Sequence, residues 1–329
     1  MKNCQCYLKG YLNPPDRFTV FLKPIMPIFN VSKIVIIESL DESEFQTGVE
    51  IEKVMRYEFS ENNLPLTVER YSIKRASEFI QLIHRLADTA ATYVPLLHME
   101  MHGDRYDGLI FADNSYLSWA EVSQSLVPLN IATGFNLVCV FAACYGAYFT
   151  NAWYINHPSP CFALIGPEDE VDPGEIHRAF RTLYHHFAVE KDMGVAADLL
   201  RDLVPIKGGW FQMTMDRWFY RVMHQFVVEE ASVLAVRRRA QMIIKQLNSP
   251  FIFGLAPADL EVKTYAEKPS LRNWTLPDME VVVLLKTHEY LSRLAYERFF
   301  MTKLIPENEN RFATIKDAVL RTIVPLIGK

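Results

Sequence analysis

The sequence predicts an α/β fold built on a mainly parallel sheet, on three observations. Between residues 33 and 190, short apolar runs alternate with longer stretches whose apolar residues recur at helical spacing. The runs are continuous rather than alternating, as in Lys33-Ile-Val-Ile-Ile-Glu-Ser-Leu40, which suits strands buried on both faces. Gly, Pro and capping residues punctuate the boundaries.

Each element has its own signal. Phe18–Leu22 is a short β-prone piece ahead of the first strong strand, 33–40. Gln46–Glu61 reads as a helix, with Val49, Ile51, Val54 and Met55 on one face, and Pro65 breaks the chain after it. Leu66–Ile73 alternates and is the second strand; Ala76–Thr92 is the next helix, striped by Phe79, Ile80, Leu82, Ile83 and Leu86. The third strand, Val94–Gly103, ends in His-Gly, and a hairpin-like stretch, Asp107–Asp113, follows. Ser118 and Glu121 form a capping box that opens a helix to Val127. Leu137–Ala143 is a fourth strand ending at Cys144-Tyr-Gly146; a helix over Ala147–Ile155, a fifth strand over Cys161–Gly166 and a helix from Pro173 to Glu190 complete the alternation.

From about residue 195 the pattern becomes helical: Val195–Leu203, then Trp210–Leu247 after a Gly208-Gly209 loop, then Met279–Met301 and Thr314–Ile327, with a mixed stretch over Pro250–Pro277. The expected division is an α/β domain over residues 1–200 and a helical C-terminal lobe over 201–329.

Composition narrows the function. Half of the 329 residues are hydrophobic, enough for a generous core, and the formal net charge of -5 offers no basic footprint for nucleic acid. Arg237, Arg238 and Arg239 read as a solvated helix face. No apolar run is long enough to span a membrane, and the first residues lack the apolar core of a secretory signal. Five cysteines at irregular spacing, Cys4, Cys6, Cys139, Cys144 and Cys161, read as reduced thiols, so a cytoplasmic location is expected. Neither a G-x-G-x-x-G nor a P-loop pattern is present, and no cofactor is expected.

The chemistry-bearing pattern is a His and a Cys at the ends of two consecutive strands. In open parallel sheets, reactive groups gather at the carboxyl ends of strands. A free thiol holds little thiolate at neutral pH, and a neighbouring imidazole corrects that. Gly103 would let the backbone turn and offer its N–H, with that of Cys144, as an oxyanion hole. Gly146 would allow close approach past the nucleophile.

These segments, Leu-Leu-His-Met-Glu-Met-His102-Gly103 and Leu-Val-Cys-Val-Phe-Ala-Ala143-Cys144-Tyr-Gly146, resemble the caspase–hemoglobinase class of cysteine peptidases. The following Cys161-Phe-Ala-Leu-Ile-Gly-Pro-Glu168 and its helix resemble the CHAT branch of bacterial caspase-like and separase-related peptidases, although Gly166-Pro167 stands where many members carry tryptophan. The resemblance covers residues 30–200 and implies a three-layer caspase-like sandwich. It implies that Cys144 attacks the scissile carbonyl, that His102 is general acid/base, and that Gly103 and Cys144 N–H groups hold the oxyanion. It also implies a protein substrate, such as a pore-forming gasdermin cleaved in bacterial defence or regulated cell death.

Other readings stay open. A Cys ending an apolar strand is commonly a packed small hydrophobe, and Cys139 and Cys161 read that way. His98, Glu100 and His102 share one strand face and suggest a metal site, against which stands the burial expected of a central strand. An inactive scaffold with a partner-binding lobe is a further alternative. In Pro167-Glu-Asp-Glu-Val-Asp172, the carboxylates Glu168, Asp169 and Asp172 are candidates for binding a basic substrate residue, while Asp172 also suits a helix cap. Trp210, Phe211, Trp218, Phe219 and Tyr220 are expected either to cover the cleft or to pack the helical lobe.

Overall fold

A computed structural model describes residues 31–90, 93–230, 233–247, 282–283, 286 and 294–319. The expected strand at Phe18–Leu22, the thiols Cys4 and Cys6, the stretch Pro250–Pro277 and parts of the last two predicted helices lie outside the described residues.

The protein is α/β, with a mixed and mostly parallel sheet. Strands β1 (Lys33–Ser39), β2 (Thr67–Ser72), β3 (Pro95–Asp104), β6 (Val138–Ala142), β7 (Ala163–Pro167) and β8 (Trp210–Thr214) lie in the order β2-β1-β3-β6-β7-β8. Pairing is parallel from β2 to β7, and β8 runs antiparallel to β7. The small strands β4 (Gly108–Ile110) and β5 (Tyr116–Leu117) form an antiparallel extension from the end of β3.

The continuous apolar strands have the burial their sequence demands. Ile34, Val35, Ile36 and Ile37 are all fully buried, so β1 is covered on both faces. One face, through Ile34, Ile36, Leu96, Val138 and Val140, packs against α1 (Thr47–Glu61), α4 (Pro173–Glu190) and α5 (Met193–Leu203). On the opposite face, Phe141 meets Trp119 of α3 (Trp119–Ala132) edge-on at 5.7 Å, and α2 (Ala76–Thr89) packs beside α3. The Ser118–Glu121 capping box is present, and a second one, Asp172 with Glu175, starts α4.

Three elements differ from the sequence reading. Helix α3 runs through Pro128 to Ala132, although proline removes a helical donor. The segment after Cys144 is a 3₁₀ helix, Gly146–Ala152. Trp210–Thr214, expected to begin a helix, is the edge strand β8; Gly208 and Gly209, at φ +78° and +95°, make the turn that returns the chain to the sheet.

The chain divides into two compact units. One takes in the described residues from 31 to 153 and from 159 to 215, and so includes β8. The other contains residues 154–158 and 216–329. In the second, Trp218 and Phe219 of α6 (Met215–Glu230) pack with Phe299 and Phe300, and Phe300 stacks on Phe312 at 4.4 Å. Trp210 belongs to the first unit, where its ring meets Phe180 and its Nε1 donates to Val204 O at 2.7 Å. The aromatic cluster of the sequence is therefore split between two cores.

Candidate active site

β3 and β6 are neighbours, with Glu100 opposite Ala142. Continuing that parallel register by two residues brings His102 to the level of Cys144. Strand periodicity puts His102 on the face of His98 and Glu100, while Cys144 lies in the turn just past β6, its Sγ against the backbone of Val171 ahead of α4.

Gly103 is extended, not turned: β3 continues to Asp104, with His102, Gly103 and Asp104 paired to Ile110, Leu109 and Gly108 of β4. Its lack of a side chain serves close approach instead. A Cβ on Gly103 would lie 2.1 Å from the Cys144 carbonyl oxygen. Gly146 is equally constrained, since a Cβ there would lie 2.6 Å from Phe141 Cβ. Between them Tyr145 is left-handed at φ 59°, a costly conformation for a residue with a side chain, held in part by its N–H bond to Asp169 O.

Cys144 is half-buried. Its Sγ accepts from Val171 N–H at 3.5 Å and donates to Val171 O at 3.7 Å. Burial pushes the thiol up, the Val171 N–H opposes this, and nearby Glu170 and Asp169 push it further up. His102 is exposed, and its Nε2 lies 2.8 Å from Glu44 Oε1. The backbones of the His-Gly and Cys segments thus meet, while each reactive side chain has a separate partner.

Glu44 has no counterpart in the sequence reading. It lies in the β1–α1 loop, among Asp41, Glu42 and Ser43, where nothing but folding connects it to residue 102.

The acidic loop is sorted by its partners. Asp172 caps α4, accepting from Gly174 N–H at 2.7 Å. Asp169 pairs with Lys207 at 3.2 Å, and Glu170 accepts from Tyr145 Oη at 3.1 Å. Glu168 has no side-chain partner among the described residues, and burial pushes its carboxyl up. Beside this loop, the exposed Arg105 guanidinium lies over Tyr145 and Tyr148, 5.5 and 5.0 Å from their ring centres.

His98 and Glu100 are fully committed inside the protein. Tyr184 Oη donates to His98 Nδ1 at 2.8 Å, His98 Nε2 donates to Glu100 Oε1 at 2.7 Å, and Thr47 Oγ1 donates to Glu100 Oε2. The tautomer follows from letting each donor meet an acceptor. No cluster of metal-ligating residues occurs among the described residues. Cys139 and Cys161 are buried free thiols. An open hollow on β2, lined by Arg70, Tyr71, Ser72, Glu78, Gln81 and Arg85, shares no residue with the Cys144 site. No helix among the described residues is long and apolar enough to cross a membrane.

No protein-family model matches this chain, and no curated protein matches it. What the fold and site define is an α/β protein carrying a cysteine and a histidine segment at the carboxyl ends of adjacent parallel strands.

Proposed function

We propose that this protein is a cysteine endopeptidase of the caspase-like, CHAT-related kind, acting on a protein substrate through Cys144 and His102. The observation that carries the reading is the fit of Gly103 against the Cys144 carbonyl, which packs the two segments together at the active end of the sheet. The left-handed Tyr145 supports it, because strain next to a reactive residue is retained where the site requires that geometry.

In this reading the Cys144 thiol passes its proton to His102 as Sγ bonds to the scissile carbonyl carbon. His102 then gives the proton to the leaving amine, and water hydrolyses the thioester. The backbone N–H groups of Gly103 and Cys144 receive the oxyanion. Substrate displaces the Sγ from Val171. The substrate residue before the cut is Lys or Arg, because the half-buried Glu168 carboxyl has no cation beside it among the described residues, on a loop whose Val171 touches the nucleophile.

The inactive-scaffold reading has one observation in its favour: the thiol is pushed up and tied to Val171. A fluorogenic tetrapeptide library, run with wild type, Cys144→Ala and His102→Ala, separates the two. Turnover in wild type that both variants abolish is the expected result. No turnover, with iodoacetamide labelling Cys139 or Cys161 as readily as Cys144, would sink the peptidase reading.

A further inference from the structure

We infer that Glu44 is the positioning residue of this site: it fixes His102 in the Nε2–H tautomer and leaves Nδ1 as the basic nitrogen. The inference rests on the peptidase reading above and adds a third residue to it.

The argument begins with the carboxylate. Its Oε1 lies 2.8 Å from His102 Nε2, and its Oε2 accepts the Asp41 N–H at 2.7 Å. An ionised carboxylate only accepts hydrogen bonds, so the ring nitrogen facing it carries the hydrogen and the other nitrogen keeps the lone pair. A base that takes a thiol proton needs that lone pair, and a group that holds the ring in one tautomer and one orientation raises the fraction of molecules ready to react.

The carboxylate is itself held. Glu44 N–H donates to Asp41 O at 3.0 Å, and Gln46 Nε2 donates to Asp41 O at 2.7 Å and to Glu44 O at 3.2 Å. Asp41 Oδ1 accepts from both Ser43 N–H and Ser43 Oγ, at 2.9 and 2.6 Å. Immediately beyond, α1 is pinned to the strands: Gly48 N–H donates to Glu38 at 2.9 Å, and Thr47 donates to Glu100, two residues before His102 on β3. The loop that offers Glu44 and the strand that offers His102 are thus tied to each other beneath the pair. A carboxylate and an amide at position 44 would select different His102 tautomers. Two N–H donors, Asp41 and His102, converge on the two oxygens, and an amide would present an acceptor to one and a donor to the other.

The experiment uses the full chain with ¹⁵N-labelled histidine, the His102 ring signals being assigned by their loss in His102→Gln. Wild type is expected to show His102 mainly as the Nε2–H tautomer. Glu44→Gln should move it toward Nδ1–H and lower kcat on the best library tetrapeptide on the order of 100-fold, with KM within about twofold. Its thermal midpoint should stay at the wild-type value, because the pair is solvated, with side chains 54% and 35% exposed. A wild-type ring found mainly as Nδ1–H overturns the inference without any variant. So do an unchanged tautomer and kcat in Glu44→Gln beside an inactive Cys144→Ala, and this result leaves the peptidase reading standing. A Cys144→Ala protein that cleaves the peptide at the wild-type rate overturns that reading instead.

Discussion

Gly103 and Cys144 touch through their backbones, and a single methyl group on Gly103 would lie 2.1 Å from the Cys144 carbonyl oxygen. Its neighbours offer little room, since Ala143 Cβ would lie 3.2 Å away and β4 pairs with the same residue. Gly103→Ala should therefore separate the ends of β3 and β6. The expected cost is about 1–3 kcal/mol, as for other overpacked interior sites, seen as a lower urea midpoint with an unchanged slope. Activity should fall further than stability explains, since His102 moves away from Cys144. A variant with wild-type midpoint and turnover would show that the contact does not hold the site.

The Cys144 thiol should react only at raised pH in the absence of substrate. Burial is the largest cause, and Glu170 and Asp169 add to it, because a thiolate beside carboxylates is disfavoured. The pH profile of iodoacetamide labelling at Cys144 should inflect above that of a free thiol. Removing one negative charge favours the thiolate, so Glu170→Gln should move the inflection to lower pH. A shift upward, or none, would show that the loop charge does not act on the sulfur.

Glu168 and Asp172 stand four residues apart on one loop and should respond oppositely to substitution. Glu168→Gln should lower kcat/KM for peptides with Lys or Arg before the cut and leave stability near wild type, since Glu168 has no side-chain partner among the described residues. Asp172→Ala removes the N-cap of α4 and should cost about 1 kcal/mol while leaving the preference unchanged. A library profile in which Asp172→Ala rather than Glu168→Gln alters the preferred residue would reverse these roles.

The central strands were legible because parallel strands buried on both faces carry continuous apolar runs, as Ile34–Ile37 and Val138–Phe141 do, while β3 interrupts its run with the buried His98 and Glu100. The adjacency of β3 and β6 followed from their order along the chain. β8 was hidden because Thr214 passes into helix α6 at Met215 with no Gly, Pro or cap between them. Pro128 suggested an end to α3 that tertiary packing overrode, since Leu126 and Leu129 on either side are fully buried. Glu44 could not be found from pattern, because a loop carboxylate has no periodicity and its partner is on another strand. Among the loop acids, the cap role of Asp172 was legible from its place before Pro173 and Glu175, whereas only the structure shows that Glu168 has no side-chain partner among the described residues.

The buried base of the site makes a last prediction about pH. Glu38 lies opposite Glu100 in the parallel register, 1% exposed, with Arg70 Nη1 at 2.8 Å. Burial pushes the Glu38 carboxyl above its ordinary 4.5; Arg70 pulls it down, Glu100 pushes it up, and the Gly48 N–H pulls it down. A carboxyl raised on folding contributes stability that is fully present below 4.5 and is lost as pH rises through the folded value. Arg70→Ala removes the main opposing charge and raises that value further, so the variant should suffer more at higher pH. The expected loss near neutrality is about 3 kcal/mol, the low end for a broken buried pair because Arg70 is 29% exposed. Well below 4.5, where Glu38 is protonated in both states, the part of the loss that comes from Glu38 should disappear and the difference from wild type should shrink toward what the Arg70–Glu52 pair, at 3.0 Å, contributes. Urea unfolding of both proteins across this range tests it, and a loss that is constant with pH would show that Arg70 serves packing rather than the buried charge.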